Sequence, residues 1–147
     1  MTALCLIRHA HHVHDRVDGQ GPWRDLGLSA AGRVQAQALQ SRLSASKVLR
    51  EGVLISSTQR RAMETAAVVA HGLGRPFVAD AEFEEWRNED GTIGGEASFQ
   101  FFFGYGDASF CRAYPAFGNA SITHWRQDEK AKCWVLERLN DVQHVRE

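Results

Sequence analysis

Arg8 and His9 stand side by side directly after the apolar run Ala3-Leu4-Cys5-Leu6-Ile7. Arginine offers a planar fork that fits a phosphate, and an imidazole can serve as nucleophile or proton carrier. Their adjacency points to phosphoryl chemistry. A second basic segment, Ser56-Ser57-Thr58-Gln59-Arg60-Arg61-Ala62, follows another apolar run, Val53-Leu54-Ile55. A helix opening there would present free N–H groups and the positive end of its dipole, which favour an anion. Arg61 in the first turn opposes that dipole, so its presence implies a ligand. The competing reading leaves Arg60 and Arg61 as solvated surface charges.

Other clusters are weaker. His9, His11, His12 and His14 invite a metal reading. Adjacent histidines on an irregular loop rarely converge on one ion without a carboxylate or thiolate shell, so no metal is assigned. His11, His12 and His14 are read as loop side chains near the pocket mouth, adding positive charge at mildly acidic pH. Trp23, in the loop Gly19 to Arg24, is a substrate-pocket candidate by position alone. The aromatic stretch Phe99, Phe101, Phe102, Phe103, Tyr105 and Phe110 suits core packing first. Its rival reading is a ligand-binding or dimer surface, so a homodimer is the protein partner it would allow.

These residues need elements to hold them. The run Ala3–Ile7 reads as a fully buried strand, and a strand ending in Arg-His delivers both groups to the carboxyl edge of a sheet, where open α/β sheets bind ligands. Ser29 is a good N-cap for a helix from Ala30 to about Ser46, with Val34, Ala38 and Leu43 as its apolar stripe. Val53-Leu54-Ile55 reads as a second buried strand. From Gln59 to about His71, Ala62, Ala66, Val69, Ala70 and Leu73 recur at helical spacing, and Gly72 and Gly74 end the helix. Pro76-Phe77-Val78 suits an edge strand. Ser121–Trp125 and Cys133–Leu136 suit two further strands, joined by a hairpin connection through Gln127-Asp128-Glu129-Lys130. The alternation of strand and helix predicts an α/β fold: three layers, α/β/α, around a mostly parallel sheet with an antiparallel C-terminal strand.

Composition narrows the function classes. The 147 residues fit one domain. A formal net charge of −1 gives no footprint for nucleic acid and no polybasic patch for a membrane. No apolar stretch approaches the ~20 residues of a membrane span, and the N-terminus does not read as a signal peptide. Cys5, Cys111 and Cys133 are an odd, widely spaced set without a CxxC pair, which suits free thiols in a reducing cytoplasm.

Taken in order, the motifs resemble those of the histidine phosphatase superfamily, in its phosphoglycerate-mutase-like branch. Leu6-Ile7-Arg8-His9, then Asp25-Leu26-Gly27-Leu28-Ser29-Ala30-Ala31-Gly32, then Gln35-Ala36, is similar to that family's opening strand and first helix. Ser56-Ser57-Thr58-Gln59-Arg60-Arg61-Ala62-Met63-Glu64-Thr65-Ala66 is similar to its second signature, and aligned thus Arg61, not Arg60, is the phosphate arginine. Glu85, after Phe83, matches the family's proton-donor glutamate, with Glu82 and Glu84 as near rivals. Asn119–Thr123 and Leu139–His144 are similar to the closing strand and terminal segment. The resemblance covers residues 3 to about 86 most firmly.

That resemblance implies a mechanism without metal or cofactor. Neutral His9 would attack phosphorus to form a phosphohistidine. Arg8 and Arg61 would hold the phosphoryl oxygens, and Glu85 would protonate the leaving alkoxide. The implied activity is a phosphomonoesterase acting on a small phosphorylated metabolite. A mutase needs a retained phosphoenzyme and a more elaborate lid, which the short chain disfavours. A non-catalytic phosphate-ligand binder is the other alternative.

The chain departs from the family in places. The family's second histidine, in a Ser-His-Gly-Gly-like turn, has no counterpart, since His71, His124 and His144 are poor matches. The 33 residues from 86 to 118 are too few for the missing strand and helices, so the single domain 1–147 is read as lacking an internal segment near 92–98. Ala10 replaces a glycine and is expected to narrow the backbone's approach to phosphate. His11-His12 stand where an acidic residue and threonine are common. Asp15 takes the usual asparagine position, which makes it a further candidate for the substrate pocket.

Overall fold

A computed structural model describes residues 3–15, 24–46, 49, 51–84, 86–87, 93–94 and 117–145. The chain divides into two compact units, Met1–Glu84 with Gly118–Glu147, and Glu85–Phe117.

In the first unit, strand β1 (Ala3–Ile7) leads into the short β2 (His12–Asp15) and β3 (Arg24–Leu28), which pair antiparallel as a ribbon with His12 opposite Leu28. Helix α1 (Ala30–Ala45) begins as the sequence requires: Ser29 caps it by accepting the N–H of Gly32 at 3.0 Å. Its inward stripe is Gly32, Ala36, Leu39 and Leu43. Val34, expected on that stripe, is 66% exposed, because the helix turns the neighbouring i, i+3, i+7 row inward.

Strand β4 (Ile55–Ser56) follows, then helix α2 (Arg60–Leu73) and strand β5 (Val78–Ala79). Gly74, in the left-handed region at φ 63°, caps α2, whereas Gly72 lies inside it. Val69 and Ala70 are buried as expected, yet the same row continues through Arg61 and Thr65, both polar and both buried. That polar end of an otherwise apolar stripe marks where the core meets the site. Val53 and Ile55, read as a buried strand, are 78% and 45% exposed. Among the described residues β4 pairs only with β5, too little structure to cover both of its faces.

The main sheet also differs from expectation. β1 pairs antiparallel with β8 (Ile122–Asp128), running from Ala3 opposite Arg126 to Ile7 opposite Ile122. β8 pairs antiparallel with β9 (Cys133–Asp141) across the expected hairpin. This sheet is antiparallel throughout, and among the described residues parallel pairing is confined to β4 and β5. The fold is mixed α/β, but the mostly parallel sheet is not present among the described residues. Strand–helix alternation fixes chain direction without fixing neighbours, and here β1 pairs with a late strand. The core unites Ala10, Leu28, Ala36, Leu39, Leu43, Val69, Ala120 and Ile122, with Cys5 and Ile7 against it.

In the second unit, β6 (Trp86–Arg87) and β7 (Ile93–Gly94) pair antiparallel, with Trp86 opposite Gly94. The rest of the segment expected to carry a deletion, and the aromatic stretch Phe99–Phe110, lie outside the described residues. No helix among the described residues is long and apolar enough to cross a membrane. Cys5 and Cys133 are free thiols.

Candidate active site

Backbone pairing between β1 and the start of β8 continues past the end of the strand. The Arg8 N–H donates to Ser121 O at 3.1 Å, and the Ala120 N–H donates to His9 O at 3.1 Å. Arg8 and His9 are thus held on a fixed backbone rather than a free loop. The next residue, Ala10, is fully buried in the core, and its N–H donates to Thr65 Oγ1 at 3.1 Å. Thr65 Oγ1 in turn donates to Arg61 O at 2.8 Å. The Ala10 methyl therefore packs inward, and the expectation that it narrows the approach to phosphate does not hold.

The state of His9 is set by one hydrogen bond and by burial. Its Nδ1 lies 2.9 Å from Ala10 O. A carbonyl can only accept, so Nδ1 carries the proton and Nε2 keeps its lone pair. Burial, the largest influence, pushes the His9 pKa down to about 4, against the opposing pull of the Ala10 bond. The charges of Arg61, His12 and Arg8 push the same way. The ring is neutral at pH 7, and the two arginines assigned from sequence are close enough to act on it.

Arg61 is oriented by a carboxylate. Its backbone N–H is 3.1 Å from both Asp25 oxygens, and its Nη1 is 3.2 Å from Asp25 Oδ2. Asp25 also accepts the Gly27 N–H at 3.1 Å. The anion expected at the N-terminus of α2 is therefore, at Arg61 N, a side chain of the protein itself. Arg60 is drawn elsewhere, its Nε 2.7 Å from Glu64 Oε1 on the exposed side of the helix. Glu64 Oε2 accepts the Leu28 N–H at 2.7 Å, tying β3 to α2. Leu28 N, Arg60 and the more distant Arg33 hold the Glu64 carboxyl below the usual range, the Leu28 bond most strongly. Gly27 suits that position because its φ of 86° is a backbone conformation that L side chains rarely adopt.

The histidine loop is clamped to α1. The His11 N–H donates to Gln35 Oε1 at 2.9 Å, the Ser29 N–H donates to His11 O at 3.1 Å, and His11 Nδ1 is 2.8 Å from Ser29 Oγ. The His12 ring meets the His9 ring edge-on, with centroids 4.9 Å apart. Among the described residues no group of three metal-ligating side chains forms.

The structure thus brings together Arg8, His9 and Arg61. Asp15 ends β2 opposite Arg24, but its side chain lies outside the described residues, as do Trp23 and Glu85. Of the rivals to Glu85, Glu84 accepts a hydrogen bond from Thr58 Oγ1 in the turn before α2, while the Glu82 N–H serves the Asp80 turn. His144 reaches the same residue from the C-terminal segment: its Nε2 donates to Ala120 O at 2.9 Å, so Ala120 alone links it to His9. Among the described residues its buried Nδ1 has no hydrogen-bond partner, and burial lowers its pKa. Sequence reasoning assigns no role to Asp25 or Thr65. A signal exists for Thr65, one helical turn after Arg61 on the same face.

The chain matches the model of the histidine phosphatase superfamily (branch 1) over residues 4–92. It belongs to that superfamily. No curated protein sequence matches significantly. Among solved structures, Bacillus stearothermophilus YhfR is 19% identical, with a TM-score of 0.70, over 99% of this chain and 100% of that one. A mycobacterial glucosyl-3-phosphoglycerate phosphatase, solved with VO3, is 18% identical with a TM-score of 0.63, over 94% and 98% of the two chains. A phosphoserine phosphatase from Entamoeba histolytica, in complex with 3-phosphoglyceric acid, is 16% identical with a TM-score of 0.64, over 99% and 100%. At these identities the likeness is one of fold.

Proposed function

We propose that this superfamily member is a phosphomonoesterase that hydrolyses a small phosphorylated metabolite through a phosphohistidine on His9. The observation that carries the reading is the state of His9: a neutral, tautomer-fixed imidazole whose Nε2 lone pair is left for attack, beside two arginines. Membership of the superfamily and likeness in fold to proteins named as phosphatases support it.

In the first step His9 Nε2 forms a bond to phosphorus as the ester P–O bond breaks. The leaving alkoxide takes a proton from Glu85. In the second step water attacks phosphorus, Glu85 takes a proton from that water, and the N–P bond breaks to release inorganic phosphate. Arg8 and Arg61 hold the phosphoryl oxygens and absorb the charge that builds on them, which is the larger part of catalysis in such transfers.

Turnover of p-nitrophenyl phosphate by the wild type, compared with His9→Ala, tests the proposal. Loss of turnover in the variant, with acid-labile phosphate trapped on the wild-type chain alone, is the expected result. Equal, negligible rates in both would favour a phosphate-binding protein instead.

A further inference from the structure

We propose that His12 is a third cationic ligand of the phosphoryl group, engaging it as an imidazolium beside Arg8 and Arg61. The inference rests on the phosphoryl-transfer reading of His9 and adds a residue to that site.

Three observations carry it. The His12 ring stands at 85° to the His9 ring with centroids 4.9 Å apart. A tetrahedral group joined to His9 Nε2 extends beyond the edge of that ring, and at this spacing its oxygens can be met by the second imidazole. The placement is also built. His12 opens β2 opposite Leu28, whose N–H is bound by Glu64 of α2, and the preceding residue is fastened to Gln35 and Ser29 of α1. Gly32 permits that contact, since a Cβ there would lie 1.8 Å from His11 O. Finally, the charge of His12 is felt at His9 between those of Arg61 and Arg8 in strength, which puts it inside the same small volume.

The electrostatics give His12 a distinct task. Its elements carry Arg8 and His9 at the end of β1, His11 beside it, Asp25 across the ribbon, and Arg61 and Glu64 on α2. Without ligand the cations Arg8 and Arg61 oppose a proton on the His9 imidazole. A bound dianion beside His12 favours the charged form of its ring. His9 stays neutral because Nδ1–H is committed to Ala10 O and Nε2 faces phosphorus. Phosphate binding is therefore coupled to uptake of one proton by His12, and the imidazolium then donates to a phosphoryl oxygen.

Sulfate isolates the effect, because it stays a dianion across the range in which histidine titrates, about pH 5 to 8. Sulfate affinity would be measured by calorimetry at several pH values for the wild type, His12→Gln, His12→Asn and His11→Gln, alongside kcat/KM on p-nitrophenyl phosphate. The wild type and His11→Gln are expected to lose affinity by about tenfold or more as pH rises, the worth of one charge-assisted bond. Both His12 variants are expected to bind more weakly with a flat profile, and to lose roughly 10- to 100-fold in kcat/KM. A His12 variant that keeps the wild-type slope, or a slope abolished by His11→Gln, overturns the proposal. Failure of the phosphatase reading is a separate outcome, seen as wild-type turnover that does not depend on His9.

Discussion

Asp25 grips Arg61 twice, through the helix backbone and through the guanidinium. One carboxylate thereby caps α2 and aims the arginine, whose side chain is only 8% exposed. Asp25→Asn keeps the shape but surrenders the charge-assisted bonds. It is expected to lower stability by about 2 kcal/mol in urea unfolding and to raise KM for a phosphomonoester. Arg61→Lys leaves a point charge without the fork. A loss of about 10²-fold in kcat is expected, the scale of removing one preorganised donor from a transition state.

His9 makes the protein acid-sensitive in a particular window. Its folded pKa of about 4 lies below the ordinary 6.5. As pH falls from about 6.5 the unfolded chain binds a proton that the folded chain refuses, so stability drops until the folded ring also titrates near 4. His144, held down by burial, acts in the same direction. The urea midpoint of the wild type should fall between pH 6.5 and 4. In His9→Gln the fall should be shallower but not absent, because His144 remains. An identical slope in the two proteins would show that His9 is not buried in its neutral form.

Gly32 sits where α1 meets the histidine loop, with His11 O occupying the space of its absent side chain. Gly32→Ala cannot be relieved by rotating a neighbour, because the obstacle is backbone. A cost of roughly 1–3 kcal/mol is expected from overpacking. The shifted loop should also raise KM, since it carries His9 to His12. A stability loss with unchanged KM would separate the loop from substrate binding.

The parts legible in the sequence were those set by local chemistry. Ser29 marks the start of α1, Gly74 the end of α2, and the Arg8-His9 pair the end of β1. Motif spacing also separates Arg61 from Arg60, which the structure shows in a salt bridge to Glu64. What was not legible depends on distant partners. Nothing in Ala3–Ile7 says that its neighbour is β8 rather than β4. The polar row Arg61 and Thr65 breaks the apolar pattern of α2 because those groups serve Asp25, Ala10 and the site instead of the core. Asp25 lies 36 residues from its arginine, and no periodicity reports such a pairing.

Leaving-group chemistry tests the assignment of the proton donor. A good leaving group such as p-nitrophenolate departs with little help, whereas an alkoxide needs a proton in the transition state. Loss of the true acid should therefore leave p-nitrophenyl phosphate turnover largely intact and reduce hydrolysis of an alkyl phosphate by about 10²–10⁴-fold, the span of general acid catalysis. Glu85→Gln is expected to show that split. Glu84 instead accepts the Thr58 hydroxyl, so Glu84→Gln should slow both substrates alike or neither. The opposite pattern, selectivity in Glu84→Gln and none in Glu85→Gln, would move the acid to Glu84 and give the Thr58 contact a catalytic purpose.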